Sequence, residues 1–270
     1  MQSSNPVLGR LRDAARQERY GIYPAQQPTG YDQYGYPQSP VVQPAVARPM
    51  TIDDVVTRSV ALLLVTGVFA AFSWIFLTGP ITALATIGSS IAGLVLVLVI
   101  SFKRITNPAV ISAYAAVEGI LLGVVSRVFE DAYSGIVIQA VVGTFGVFFG
   151  MAALYKFRVL RATPKFARFV LGALIGVVAL GLVNWVLAMF GHNPGLVYYG
   201  PGQSSGLAIV FAIACIAIGA LTFILDFDAI EQGIRYGLPE KYAWYCAFGI
   251  LVGLIYLYWY ILRLLGYLRR

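Results

Sequence analysis

Beyond residue 50 the chain alternates long apolar runs with short polar breaks, and it does so seven times. The runs read as 58–79, 81–101, 108–129, 134–155, 167–190, 206–227 and 242–267. Each is close to the ~20 helical residues that cross a hydrocarbon core of ~30 Å. In hydrocarbon a segment must satisfy its own backbone polar groups, so these runs predict helices rather than open strands. The expected fold is an all-α polytopic membrane protein with seven transmembrane helices. Punctuation fits this. Thr51 followed by Asp53 and Asp54 caps the first helix. Gly79-Pro80 turns the chain, Asn107-Pro108 opens the third run, and Asn193-Pro194-Gly195 with Gly200-Pro201-Gly202 marks a loop between fifth and sixth. Two pairs at small-xxx-small spacing, Gly119/Gly123 and Gly172/Gly176, predict close helix packing within the bundle in preference to a dimer seam.

The first 50 residues read differently. From Tyr20 to Pro49 they are rich in Gln, Pro, Gly and Tyr. Such a segment buries too little apolar surface to offset its ordering entropy, which predicts a disordered tail. Two regions follow, a tail over 1–50 and a seven-helix domain over 51–270. Residues 7–19 read either as a solvated tail or as a short basic amphipathic helix on an anionic membrane surface. No cleavable signal peptide is visible, so the first run is expected to direct insertion.

Composition supports the membrane class. The 270 residues are 59% hydrophobic and 11% charged, where a soluble domain carries about 25% charged. The net charge of +7 reads as loop bias rather than nucleic-acid binding. Lys103 and Arg104, then Lys156, Arg158, Arg161, Lys165 and Arg168, then Arg235 and Lys241, occupy alternate loops. The remaining loops carry only Arg127, beside Glu130 and Asp131. The positive-inside rule then places the N-terminus in the cytoplasm. Seven spans from that start leave Arg269 and Arg270 on the far side, against the rule; a re-entrant last segment is the alternative.

Chemistry is sparse. Cys215 and Cys246 have no CxxC or Cys/His spacing, and His192 is the sole histidine, so neither a disulfide framework nor a zinc site is expected. No P-loop, HExxH, GxSxG or nucleotide fingerprint occurs; no catalytic residue and no resident cofactor are expected. Acids in the spans are the candidates. Asp226 and Asp228 stand where the sixth run ends, and at 100° per residue they point to nearly opposite sides. Asp226 stacks on Thr222 and Phe223 and is expected to face the bundle. Asp228, Glu231 and Arg235 are expected toward water, with Glu231 and Arg235 pairing at i,i+4. Glu118 lies near the middle of the third run, where an ionised carboxylate costs several kcal/mol unless hydrated or paired. Asn184 is expected to make an interhelical hydrogen bond.

The run Phe223-Ile-Leu-Asp-Phe-Asp-Ala-Ile230, the Leu- and Tyr-rich last segment and the Glu118-Gly119 pair resemble the Bax inhibitor-1/YccA-like (transmembrane Bax inhibitor motif) family over roughly residues 50–270. Ser4-Asn-Pro-Val-Leu8 and the Tyr-rich tail resemble its actinobacterial branch, which implies a bacterial plasma membrane. The resemblance implies a central last helix ringed by the other six. It also implies a pH-sensitive calcium leak, or else a non-conducting regulator of a membrane-bound protease or stress response. In leak-type members an aspartate matching Asp226 pairs with an acid on the last helix. Here no Asp or Glu occurs between Lys241 and Arg270, and Tyr256 or Tyr260 is expected in its place. A tyrosine hydroxyl can hydrogen-bond Asp226 but does not share a titrating proton with it. Asp226, Glu118 and Thr222 are the oxygens offered to a passing calcium ion.

Overall fold

The computed structural model describes residues 48–79, 81–160, 162–189 and 205–269. The readings for residues 1–47 and for the 190–204 loop lie outside these. Seven helices follow one another: α1 (Ile52–Phe76), α2 (Ile81–Lys103), α3 (Pro108–Ala132), α4 (Ile136–Lys156), α5 (Pro164–Met189), α6 (Gly206–Arg235) and α7 (Tyr242–Leu268). All seven are long and apolar enough to cross a membrane.

Local chemistry sets the boundaries. α1 starts six residues before its apolar run because Thr51 and Asp54 form a capping box, each side chain meeting the other's backbone N–H. Asn107 caps α3 through the Ala109 N–H at 2.9 Å, with Pro108 as the first helical residue. The tight turn after α1 holds Gly79 at φ +70°, a left-handed conformation that glycine adopts without cost. α6 departs most from the pattern. It does not stop near residue 227 but runs two further turns to Arg235, held by i,i+4 contacts from Gln232 to Asp228 and from Arg235 to Glu231. Asp226 and Asp228 are therefore helix-interior residues, not helix-end ones.

α7 is the hub. It packs extensively on α6, α1, α4 and α3. α2 and α5 reach it through clusters that join Ile100 to Ala247 and Phe248, and Val177 to Tyr256. It runs unbroken for 27 residues, long and apolar enough to cross a membrane in one pass. Its end is anchored where the loop charge bias ran the other way: Arg269 Nη1 donates to the Ser134 carbonyl at 2.8 Å. A local carbonyl partner thus accounts for a cation at that end.

The two glycine pairs diverge. A Cβ on Gly119 would lie 2.5 Å from the Thr66 carbonyl oxygen, and one on Gly123 would overlap Ala70 O and Ser73 Oγ. The α1–α3 backbones approach closely there. Gly172 and Gly176 have nothing within 4 Å, so the expected packing role for that pair is corrected. A match to small-xxx-small spacing cannot report whether a neighbour exists.

Residues 48–50 belong to the helical domain, not to a separate tail. Pro49 bridges Pro239 in antiparallel register, Met50 N donates to Leu238 O at 2.8 Å, and Glu240 N donates to Arg48 O at 2.9 Å. The side chains of Arg48 and Arg58 both reach Glu240. This strap lies at the end of the bundle that carries Lys103, Lys156 and Arg235, called the basic end below.

Candidate functional site

Asp226 lies on the face of α6 that turns to α7. Two glycines set the approach of the two helices. A Cβ on Gly219 would fall 2.5 Å from the Tyr256 ring, and one on Gly253 would fall 2.9 Å from the Phe223 ring. Phe223 is fully buried and packs edge-on against Phe148 of α4, ring centroids 5.1 Å apart. Asp226 follows it by three residues. By surface area it is partly buried. Among the described residues no group hydrogen-bonds to it or pairs with it as an ion. The group from α7 that feels its charge is the Cys246 thiol.

Cys246 in turn lies 4.0 Å from the Met50 sulfur. Met50 is 1% exposed and fills the space over Gly233, where a Cβ would meet its methyl at 3.1 Å. The strap therefore seats a methionine between the basic end and Cys246. Arg58 holds the strap's partner loop: its guanidinium donates to the Glu240 carbonyl at 2.6 Å and to the Glu240 carboxylate at 2.5 Å, and lies over the Trp244 ring. Charge and hydropathy along the sequence give no sign of this loop-to-strap pairing.

The tyrosines do not stand where the sequence placed them. Tyr256 donates to the Cys215 carbonyl at 3.2 Å, eleven positions before Asp226 and so about 16 Å along the helix. Tyr260 packs on Tyr256 with the rings tilted, centroids 4.7 Å apart. The antiparallel register of α6 and α7 puts both rings toward the start of α6, away from its acids. Neither tyrosine therefore stands at the level of Asp226. Thr222, one turn before Asp226, spends its hydroxyl proton on the Gly219 carbonyl at 2.7 Å.

The other acids are separate. Asp228 accepts from Gln232, and Glu231 accepts from Arg235 and from Tyr155 of α4. Asp228, Glu231 and Arg235 line a polar cavity of about 490 Å³ with Lys156 and Arg158. Glu118 faces α2: its carboxyl fills the gap beside Gly93, where a Cβ would sit 2.6 Å away, and the Tyr114 hydroxyl turns to it. α3 and α6 make no extensive contact, so Glu118 and Asp226 do not form one ligand set. Among the described residues no three His, Cys, Asp or Glu side chains gather in a metal-holding group.

A sharper link in the core was not legible from sequence. Ser126 of α3 and Tyr258 of α7 share a buried hydroxyl–hydroxyl bond at 2.5 Å.

Comparison with known proteins adds one relative. An uncharacterized protein of Chlamydia muridarum (strain MoPn / Nigg) is 26% identical over 170 residues, which cover 60% of this chain and 67% of that one. A sequence model of the family described as Bax inhibitor 1 like matches residues 5–270, nearly the whole chain, and with seven membrane-length helices in place this multi-pass membrane protein belongs to that family.

Proposed function

We propose that the protein is a slow, pH-sensitive cation leak, with calcium as the transported ion and the α6–α7 contact at Asp226 as its gate. The observation that carries this reading is a half-buried carboxyl within a membrane-length helix, with no hydrogen-bond or ionic partner among the described residues. A carboxylate in a membrane span is costly when charged and unpaired. Its charge state and the closure of α6 on α7 are therefore thermodynamically linked. Neutral, the side chain sits in the closed helix pair. Charged, it favours water or a cation, which needs the pair to part and gives the ion its first oxygen ligand on the path. With no Asp or Glu along α7, the gate has one carboxyl where the leak-type reading has two. The strap with Met50 closes the cytoplasmic side in this orientation.

Purified protein in liposomes loaded with a calcium dye tests this. The wild type should change its flux between about pH 6 and about pH 8. Asp226→Asn, a permanently neutral mimic, should hold flux at the wild type's acidic-end value at every pH. Equal pH profiles in the two proteins would remove Asp226 as gate. No flux in either would leave the regulator reading standing.

A further inference from the structure

α1 and α4 both pack on α7 but not extensively on each other. The crevice between them consists of two apolar cavities, about 580 Å³ and about 480 Å³, which meet at Leu63, Phe145 and Leu254. Along α1 the lining runs from Ile52 to Ile75, a rise of about 35 Å at ~1.5 Å per residue. That matches the ~30 Å hydrocarbon core. Its rims are exposed apolar side chains, Val56 and Val60 on one side and Phe149 on the other.

Two polar features break this apolar wall. Ser59, 8% exposed, lines the larger cavity, and its hydroxyl has no hydrogen-bond partner. Buried hydroxyls ordinarily have one. At the basic end the crevice shares Tyr155 and Glu231 with the polar cavity that holds Lys156, Arg158 and Arg235. Both acids of that cavity already accept hydrogen bonds, Asp228 from Gln232 and Glu231 from Tyr155 and Arg235. Three cations against two acids leave a net positive mouth on an apolar slot.

We propose that this crevice is a binding site for an anionic phospholipid. One acyl chain lies between α1 and α4, the headgroup phosphate rests at Lys156, Arg158 and Arg235, and Ser59 donates to an ester carbonyl. A partner helix fits less well. At about 10–12 Å across it fills roughly 500 Å³ per turn, so the two cavities hold about two of the six turns that such a length requires. An acyl chain needs far less width. The site does not depend on Asp226 acting as a gate.

The test is native mass spectrometry of delipidated full-length protein titrated with phosphatidylglycerol or phosphatidylcholine of matched chains. Wild type should bind the anionic lipid about tenfold more tightly. Lys156→Gln with Arg158→Gln should erase that preference. Ala152→Trp, inside the larger cavity, should cut occupancy by both lipids several-fold. If Ala152→Trp does not fold, Gly67→Leu serves; Gly67 lines the other cavity and has nothing within 4 Å. Equal affinity for the two lipids in wild type, or undiminished occupancy in the filled-crevice variant, overturns the proposal. So does a co-purifying membrane protein that Ala152→Trp releases, since a docked helix would then own the crevice.

Discussion

Gly123→Ala is predicted to destabilise the bundle while Gly172→Ala does not, although both glycines sit in the same spacing motif. At Gly123 the added methyl would overlap the Ala70 carbonyl and the Ser73 hydroxyl of α1. The Ser73 side chain could turn away, but the carbonyl is backbone and moves only if α1 and α3 part by about an ångström. That interface is the most extensive in the molecule, and inserting a methyl into a packed contact costs about 1–3 kcal/mol. Alanine's better helix propensity returns up to ~1 kcal/mol at either site. The net expectation is a loss of about 0–2 kcal/mol at Gly123 and no loss, or a slight gain, at Gly172, which has nothing within 4 Å. The assay is reversible unfolding in mixed micelles, followed by circular dichroism as a denaturing detergent replaces a mild one. Equal midpoints for the two variants would refute the reasoning, because they would mean that α1 and α3 are not in backbone contact.

Arg58→Gln should loosen the strap, so that a membrane-impermeant thiol reagent labels Cys246 several-fold faster in a Cys215→Ala background; unchanged labelling would mean that Met50 does not shield the thiol. Ser126→Ala and Tyr258→Phe each leave a buried hydroxyl or its partner unpaired and should cost about 1–2 kcal/mol. Their combination should cost less than the two added, and strict additivity in a double-mutant cycle would show that the bond is not formed. Tyr256→Phe should leave the pH dependence of calcium flux intact, since its hydroxyl serves the Cys215 carbonyl, whereas Cys246→Leu should alter it; the reverse result, read by the same liposome assay, would restore tyrosine as the partner of Asp226.

Much of the architecture was written in local sequence. The seven spans, the cap at Thr51, the Asn107-Pro108 start and the Glu231–Arg235 pair depend on residues within a few positions of one another. So does the reading of a membrane protein without enzyme motifs, because hydropathy is summed over a single segment. The helical phase of Asp226 against Thr222 and Phe223 was legible in the same way.

What the tertiary structure alone decided is which surfaces meet. Sequence spacing gave Gly119/Gly123 and Gly172/Gly176 the same standing, yet only the first pair has a helix against it. It left Tyr256 and Tyr260 as equal candidates opposite Asp226, and the register of α6 on α7 carried both toward the start of α6 instead. It read residues up to 50 as tail, while hydrogen bonds to a loop nearly two hundred positions away stitched 48–50 onto the bundle. The physical reason is the same in each case. A helix fixes its own period and length through bonds four residues apart, but its rotation, depth and neighbours come from side chains distant along the chain, and no local pattern carries that information.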